Sequence, residues 1–288
     1  MSKNLLITGA NGQLGNEMRN LLASNRQFNS FFADIDTLDI TDAHAVYHFV
    51  ESNKIDIIIN CAAYTAVDSA EDDLVACAKI NVEAVGNLAG AARNCGAKVL
   101  HVSTDYVFEG FNYQPYTEED VTNPKTVYGI TKRDGERLLL KTAPDSIVVR
   151  TAWLYSPYGK NFVKTMINLG RENGQLRVVC DQIGTPTCAA DLAAAIYAIV
   201  SAAEWLPGIY HFSDEGVCSW YDFAKAIHRL AGITTCKVVP VKTKEYPTRA
   251  MRPLYSVLDK SKIKQTFGIE IPYWEESLEK CVTTIINQ

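Results

Sequence analysis

No apolar run in the chain approaches the roughly 20 consecutive residues that a membrane-spanning helix requires, which argues against a helical membrane protein. The opening Met1-Ser2-Lys3-Asn4 leads at once into a short strand-like run without the layout of a signal peptide, so the expected location is cytoplasmic. Basic clusters are missing as well: a formal net charge of -5 without Lys/Arg blocks leaves no electrostatic footprint for nucleic acid. The eight cysteines (Cys61, Cys77, Cys95, Cys180, Cys188, Cys218, Cys236, Cys281) include no C-x-x-C pair. Most read as small buried apolar residues rather than as a zinc or redox site. His44 and His48 stand four apart on an expected helix, but no third ligand accompanies them; the pair reads as a solvated face, and no transition-metal site is assigned. Repeats, low-complexity stretches and a clean linker are also absent. What remains is an ordinary globular chain of 288 residues, 47% hydrophobic, able to bury a large core as one big α/β unit or two intimate domains.

The first half alternates strand and helix patterns. Residues 4–8 form a short apolar strand that runs into Gly9-Ala10-Asn11-Gly12-Gln13-Leu14-Gly15 and then a helical pattern through Met18, Leu21 and Leu22. Strand, glycine turn and helix make a dinucleotide-binding opening, here spaced Gly-x-x-Gly-x-x-Gly rather than Gly-x-Gly-x-x-Gly. Its glycines let backbone N–H groups approach a pyrophosphate at a helix N-terminus, and Asn11, Gln13 and Leu14 lie in the same turn. After a polar break at 24–27, residues 29–33 read as a second strand ending at Asp34, a position from which a carboxylate can bond a free ribose 2'-hydroxyl. No Arg or Lys that would favour a 2'-phosphate is close to it in sequence, which predicts NADH used at least comparably to NADPH. Asp39 with Ile40 falls on the adenine side; the alternative for Asp39 is a helix-capping acid. A nearly continuous apolar strand at 55–60 delivers Ala62, Ala63 and Thr65 to the carboxyl edge, where small residues let a cofactor lie against backbone.

One long helix is expected over 73–94, then a strand at 98–102 ending in Ser103-Thr104-Asp105-Tyr106. Tyr128 and Lys132 follow, four apart and so on one face of a helix. A free phenol has a pKa of about 10, and a neighbouring cation favours the phenolate, so this spacing suits a proton donor and its tuner. The hydroxyls of Ser103 and Thr104, at a strand end ahead of Tyr128, can bond a substrate carbonyl together with the phenol. A strand at 147–150 precedes Trp153. The second half is less regular, with helices near 162–172, 191–203 and 275–286, a strand at 208–212, and a capping box of Ser219 with Asp222. Repeated strand–helix alternation predicts an α/β, Rossmann-type doubly wound parallel sheet with a smaller C-terminal domain. The expected division is an NAD(P)-binding domain over 1–150, rejoined by segments near 183–213 and 241–260, and a mainly substrate-binding domain over 151–288.

The glycine turn, Asn60-Cys61-Ala62-Ala63, Ser103-Thr104 and Tyr128-x-x-x-Lys132, in this order, resemble the extended short-chain dehydrogenase/reductase superfamily. Residues 63–71 (AYTAVDSAE), 103–108 (STDYVF), 150–155 (RTAWLY) and Arg252-Pro253-x-x-Ser256-x-Leu258-Asp259 are similar, more narrowly, to the dTDP-4-dehydrorhamnose reductases. Tyr255 departs from that pattern, which usually carries Asn there. The resemblance implies reduction of the C4 ketone of dTDP-4-dehydro-L-rhamnose by NADPH or NADH to give dTDP-L-rhamnose, the last step of a nucleotide-sugar route to cell-surface polysaccharide. It further implies that Tyr128 donates the proton, that Lys132 holds the nicotinamide ribose and lowers the phenol's pKa, and that Thr104 bonds the carbonyl. Asp105, Tyr106 and Trp153 would line the sugar site. Sugar dehydratases of the superfamily carry Glu where this chain has Tyr106. The resemblance also allows a homodimer and a magnesium ion between subunits, with no ligands to name. A non-catalytic regulatory subunit of the same fold, or another nucleotide-sugar epimerase or reductase, is the alternative.

Overall fold

The computed structural model describes residues 2–23 and 27–287; of the expected polar break, Ser24, Asn25 and Arg26 lie outside the described residues. Six strands make the central sheet: β1 (Lys3–Thr8), β2 (Phe28–Ala33), β3 (Ile57–Asn60), β4 (Lys98–Thr104), β5 (Ile147–Thr151) and β6 (Gly208–His211). Their spatial order is β6-β5-β4-β3-β1-β2, and every pairing is parallel. Strands buried on both faces carry near-continuous apolar runs, as β3 does with Ile57-Ile58-Ile59. Alternation then splits the apolar side chains between two cores. Leu5, Ile7, Ile57 and Ile59 pack on one face with Met18 of helix Gln13–Leu22 and with Leu192 and Ile196 of helix Ala189–Ser201. Leu6, Ile58 and Val99 pack on the other with Val46 of helix Ala43–Ser52, Leu88 of helix Ala84–Cys95 and Leu139 of helix Val127–Thr142. Each such Leu or Ile stabilises by roughly 1.5–3 kcal/mol when fully buried, and the expected doubly wound sheet is the result.

The expected single helix over 73–94 is instead three segments: Leu74–Ala78, a π-turn at Lys79–Glu83, and Ala84–Cys95. Asn81 supplies the reason. Its buried side chain accepts from the Tyr64 N–H at 2.9 Å and donates to the Tyr64 carbonyl at 3.1 Å and to Thr131 Oγ1 at 3.2 Å. A widened turn carries the amide inward to satisfy these groups, and such turns recur at functional sites.

Beyond β5 the chain builds a third core from Val163 and Ile167 of helix Phe162–Glu172, Phe223 and Ile227 of helix Trp220–Leu230, and Leu278 and Val282 of helix Trp274–Ile286. The capping box is formed: Ser219 Oγ accepts from the Asp222 N–H at 3.1 Å, and the Asp222 carboxylate accepts from the Ser219 N–H at 3.0 Å. Strands Gln175–Val179 and Lys237–Val241 pair in parallel beside this core. Among the described residues, no helix is long and apolar enough to cross a membrane. The chain runs from β1 outward to β2, then returns across β1 to β3. Ligands of open parallel sheets bind outside the strands' carboxyl ends at such a reversal.

Candidate active site

Gly9 follows β1 directly, and its φ of +65° lies in the left-handed region. A Cβ there would meet Ala62 N at 2.7 Å and Ala62 Cα at 2.8 Å, so only glycine lets the turn approach the end of β3. Asp34 braces the turn from β2: its carboxylate accepts from the Asn11 N–H at 2.9 Å and the Ile35 N–H at 2.9 Å. A cleft of about 610 Å³ opens over these residues, lined by Gly9, Asn11, Gly12, Asp34, Asp39, Ile40, Ala62 and Ala63. Asp39 is not the cap of the next helix. It accepts from the Thr41 N–H and hydroxyl at 2.9 and 2.8 Å, while Asp42 caps the helix through the His44 and Ala45 N–H groups. Lys79, remote in sequence, lines the same cleft from the π-turn, so the adenosine side is not purely acidic.

A second cleft, of about 560 Å³, shares Gly9, Gly12, Cys61 and Ala63 with the first. Gln13, Leu14, Gly15, Thr65, Ser103, Thr104, Asp105, Tyr106, Tyr128, Lys132 and Trp153 line it, so every remaining expected site residue converges here. Tyr128 and Lys132 occupy the first turns of helix Val127–Thr142, whose Thr126 cap accepts from the Gly129 N–H at 3.0 Å. A Cβ on Gly129 would meet the Tyr106 carbonyl oxygen at 2.2 Å; its absence lets the helix sit against the 105–107 turn and stacks Tyr106 edgewise on Tyr128 with ring centroids 5.5 Å apart. Trp153 holds a left-handed φ of +49°, costly for a side chain of this size, and its ring stacks on Trp220 at 3.5 Å in the cleft wall. Gln13 Oε1 accepts from Asn161 Nδ2 at 2.9 Å, which ties the glycine turn to the C-terminal half.

The electrostatics follow from burial. Desolvation raises the Tyr128 phenol well above its ordinary value, and the neighbouring Thr104 hydroxyl offsets part of that. Burial pushes Asp105 up to about 6, with the Thr104 hydroxyl, which donates to it at 2.8 Å, opposing the rise. Lys132 is lowered to about 8 by burial, with Glu136 opposing. The expected pairing of ammonium with phenol is not the arrangement found, because Lys132 Nζ donates to the Val102 carbonyl at 2.7 Å and lies 3.2 Å from His101 Nε2. Burial, the largest influence on the phenol, keeps it protonated.

Sequence reasoning missed several wall residues. Arg252 crosses from the C-terminal half to donate to Tyr106 Oη at 3.1 Å and to pair with Asp68. It stood in a quoted motif without a role. Trp220, next to the Ser219 cap, carries no motif. Beneath the cleft, His101 carries none either, and Asn60 stands in Asn60-Cys61-Ala62-Ala63 without a role of its own. Tyr255 lies outside the cleft lining and packs near Tyr116 at a ring distance of 6.5 Å, so the Asn expected at this position is replaced by an aromatic contact.

The residues fit a dinucleotide: a glycine cradle that a Cβ would fill, an open helix start and a cleft continuous with the tyrosine. Among the described residues of the single chain, no group of three or more His, Cys, Asp or Glu side chains is placed to hold a metal. A family profile described as "RmlD substrate binding domain" matches residues 3–287. A dTDP-4-dehydrorhamnose reductase of Aggregatibacter actinomycetemcomitans is 44% identical over 284 residues, covering 96% of this chain and 97% of its own. A crystal structure of a dTDP-4-dehydrorhamnose reductase from Clostridium acetobutylicum is 44% identical with a TM-score of 0.94, covering 98% of this chain and 99% of its own. Another, from Bacillus anthracis in complex with NADP, is 40% identical with a TM-score of 0.94, covering 99% of this chain and all (100%) of its own. With nearly the whole chain matched in each case, the protein belongs to the RmlD substrate binding domain family, together with these dTDP-4-dehydrorhamnose reductases.

Proposed function

We propose that the protein is an NAD(P)H-dependent oxidoreductase that reduces the C4 ketone of dTDP-4-dehydro-L-rhamnose to dTDP-L-rhamnose, the final step of dTDP-rhamnose supply for cell-surface polysaccharide. The observation that carries this reading is the continuity of the two clefts at Gly9, Gly12, Cys61 and Ala63, which joins a dinucleotide cradle to the Tyr128 phenol. When bound, the nicotinamide cofactor supplies the hydride. The chain supplies the rest. The glycine turn with Asn11, Gln13 and Leu14 receives the pyrophosphate; Asp34, Asp39, Ile40 and Lys79 receive the adenosine end; Ala62, Ala63 and Thr65 floor the middle. Tyr128 holds its proton at neutral pH and releases it to the alkoxide that develops at C4. Thr104 steadies the ketone oxygen once its hydroxyl turns from Asp105, while Asp105, Tyr106 and Trp153 orient the sugar, and Lys132 serves the ribose.

Under the same proposal residues 1–150 form the main cofactor domain and 151–288 chiefly the substrate domain, and the protein works in the cytoplasm on a small molecule, without nucleic acid, as a homodimer. Dehydration is disfavoured, since burial holds the Tyr106 phenol above its ordinary value and Arg252 bonds it, which makes it a poor replacement for a carboxylate. Nucleotide absorbance followed with dTDP-4-dehydro-L-rhamnose tests the reading. One cofactor oxidised per ketone consumed is expected, with no 4-keto-6-deoxy sugar from dTDP-glucose. Water loss from dTDP-glucose, or sugar interconversion without net cofactor oxidation, overturns it.

A further inference from the structure

Three polar residues sit side by side across the buried sheet beneath Lys132. Thr8 of β1 is in register with Asn60 of β3, and Asn60 with His101 of β4. All three are essentially inaccessible, as is Lys132. Polar groups at such depth are costly unless every donor meets an acceptor, so the bond directions in this row can be worked out one by one. Thr8 Oγ1 donates to Asn60 Oδ1 at 2.6 Å, and the Ala62 N–H donates to the same oxygen at 3.1 Å. That fixes the amide: its NH₂ faces His101 Nδ1 at 3.0 Å, so Nδ1 is the acceptor. A neutral imidazole with an accepting Nδ1 carries its proton on Nε2. Nε2 in turn lies 3.2 Å from Lys132 Nζ. An ammonium there would set donor against donor. A neutral amine can accept from Nε2–H while still donating to the Val102 carbonyl at 2.7 Å.

We propose that Asn60 and His101 are positioning residues that set the proton count of Lys132: they hold His101 in its Nε2–H form, favour the neutral amine at the Val102 carbonyl, and make the ammonium leave that berth. On protonation from solvent, the ε-amino group gains its third N–H and turns from Nε2 toward the open cleft, where the ribose and Tyr128 lie. The inference rests on the reading of Lys132 as the partner of Tyr128. Other groups facing Lys132 do not reverse it. Cys61 and Cys77 are thiols that burial raises and keeps neutral, and Glu136, one turn along the same helix, is engaged by Arg150 through two hydrogen bonds. Burial, then Lys132, holds His101 well below its ordinary value, so the ring is neutral throughout the range in which Lys132 titrates.

Side-chain ¹⁵N NMR of histidine-labelled protein tests the first step without any variant. The His101 signals should be those of a neutral ring protonated at Nε2 near pH 7; a ring protonated at Nδ1 overturns the proposal. Asn60→Asp tests the second, since a carboxylate accepts from Thr8, from the Ala62 N–H and from His101 Nδ1–H, which leaves Nε2 as an acceptor for an ammonium. The Lys132 ε-amine, followed by lysine-selective NMR, should then titrate at least tenfold more weakly as an acid, and the alkaline limb of the turnover–pH profile should move with it. Asn60→Asp combined with His101→Phe separates tautomer from charge. An equal rise in this double variant would mean that the added charge alone acts, and would sink the proposal. Both NMR readings are made on the protein itself, so a failure of the reductase reading shows as absent cofactor oxidation and leaves them interpretable.

Discussion

Glu136→Gln should destabilise the protein sharply although it changes one atom. Glu136 and Arg150 are each 3% exposed, joined by Arg150 Nε to Oε1 at 3.0 Å and Nη2 to Oε2 at 2.8 Å. The pair ties helix Val127–Thr142, which carries Tyr128 and Lys132, to β5. Removing one partner of a buried pair costs about 3–5 kcal/mol, mostly because the other charge is stranded. Little else compensates Arg150. Its guanidinium lies over the Phe108 ring at 5.1 Å and 3.5 Å from His211 Nε2, and burial together with Arg150 lowers that histidine to about 3, so it adds no negative partner. Against a typical total of about 5–15 kcal/mol this is a large fraction, and at roughly 2–4 °C per kcal/mol it lowers the melting temperature by roughly 6–20 °C. Urea unfolding and thermal melts of the cofactor-free protein read the effect. The double variant Glu136→Leu with Arg150→Met removes both charges and should recover most of the loss, as apolar replacements of whole buried pairs commonly do. A single-variant loss below about 1 kcal/mol, or a double variant as unstable as the two singles added together, would refute the reasoning.

Three further expectations follow from the same site. Tyr128→Phe should keep the fold and cofactor binding yet lose about 100- to 10,000-fold in turnover, the usual value of a positioned general acid; activity within a few-fold of the parent would remove Tyr128 from the chemistry. Asp105 has a folded value of about 6 against an ordinary 3.8, so its contribution to stability is complete below 3.8 and is lost as pH rises through 6. Asp105→Asn should therefore gain up to about 3 kcal/mol relative to the parent between pH 4 and 7 while weakening substrate binding, and a melting-temperature difference that is flat across that range contradicts it. Lys79→Met should reduce kcat/KM for NADPH about tenfold more than for NADH, because only a 2'-phosphate needs the cation in the adenosine cleft; equal losses would show that Lys79 does not read the phosphate.

What could be read from the sequence was what the local backbone dictates. Gly9 is demanded by a left-handed φ and a close strand, and the isoleucines of β3 by burial on two faces, so the glycine turn, the parallel sheet and the Tyr128 helix were legible before any coordinates. Relations between strands were not. Thr8, Asn60 and His101 are 52 and 41 residues apart along the chain, and although Asn60 belongs to a motif, nothing local ties it to the other two. Only the register β1–β3–β4 makes them a row, and only the bond directions within it say which nitrogen of His101 faces Lys132. Lys79 was hidden for a related reason. A regular helix over 73–94 gives no ground for choosing which of its side chains reaches the cleft, whereas the π-turn drawn in by Asn81 places Lys79 on its wall. The expected cation–phenol pair failed on depth rather than spacing: four residues on one helix face did bring Tyr128 and Lys132 together, but a buried ε-amino group takes the nearest acceptors, and those belong to β4. Spacing along a helix therefore identifies which groups can meet, while the strand beneath decides which of them do before a ligand arrives.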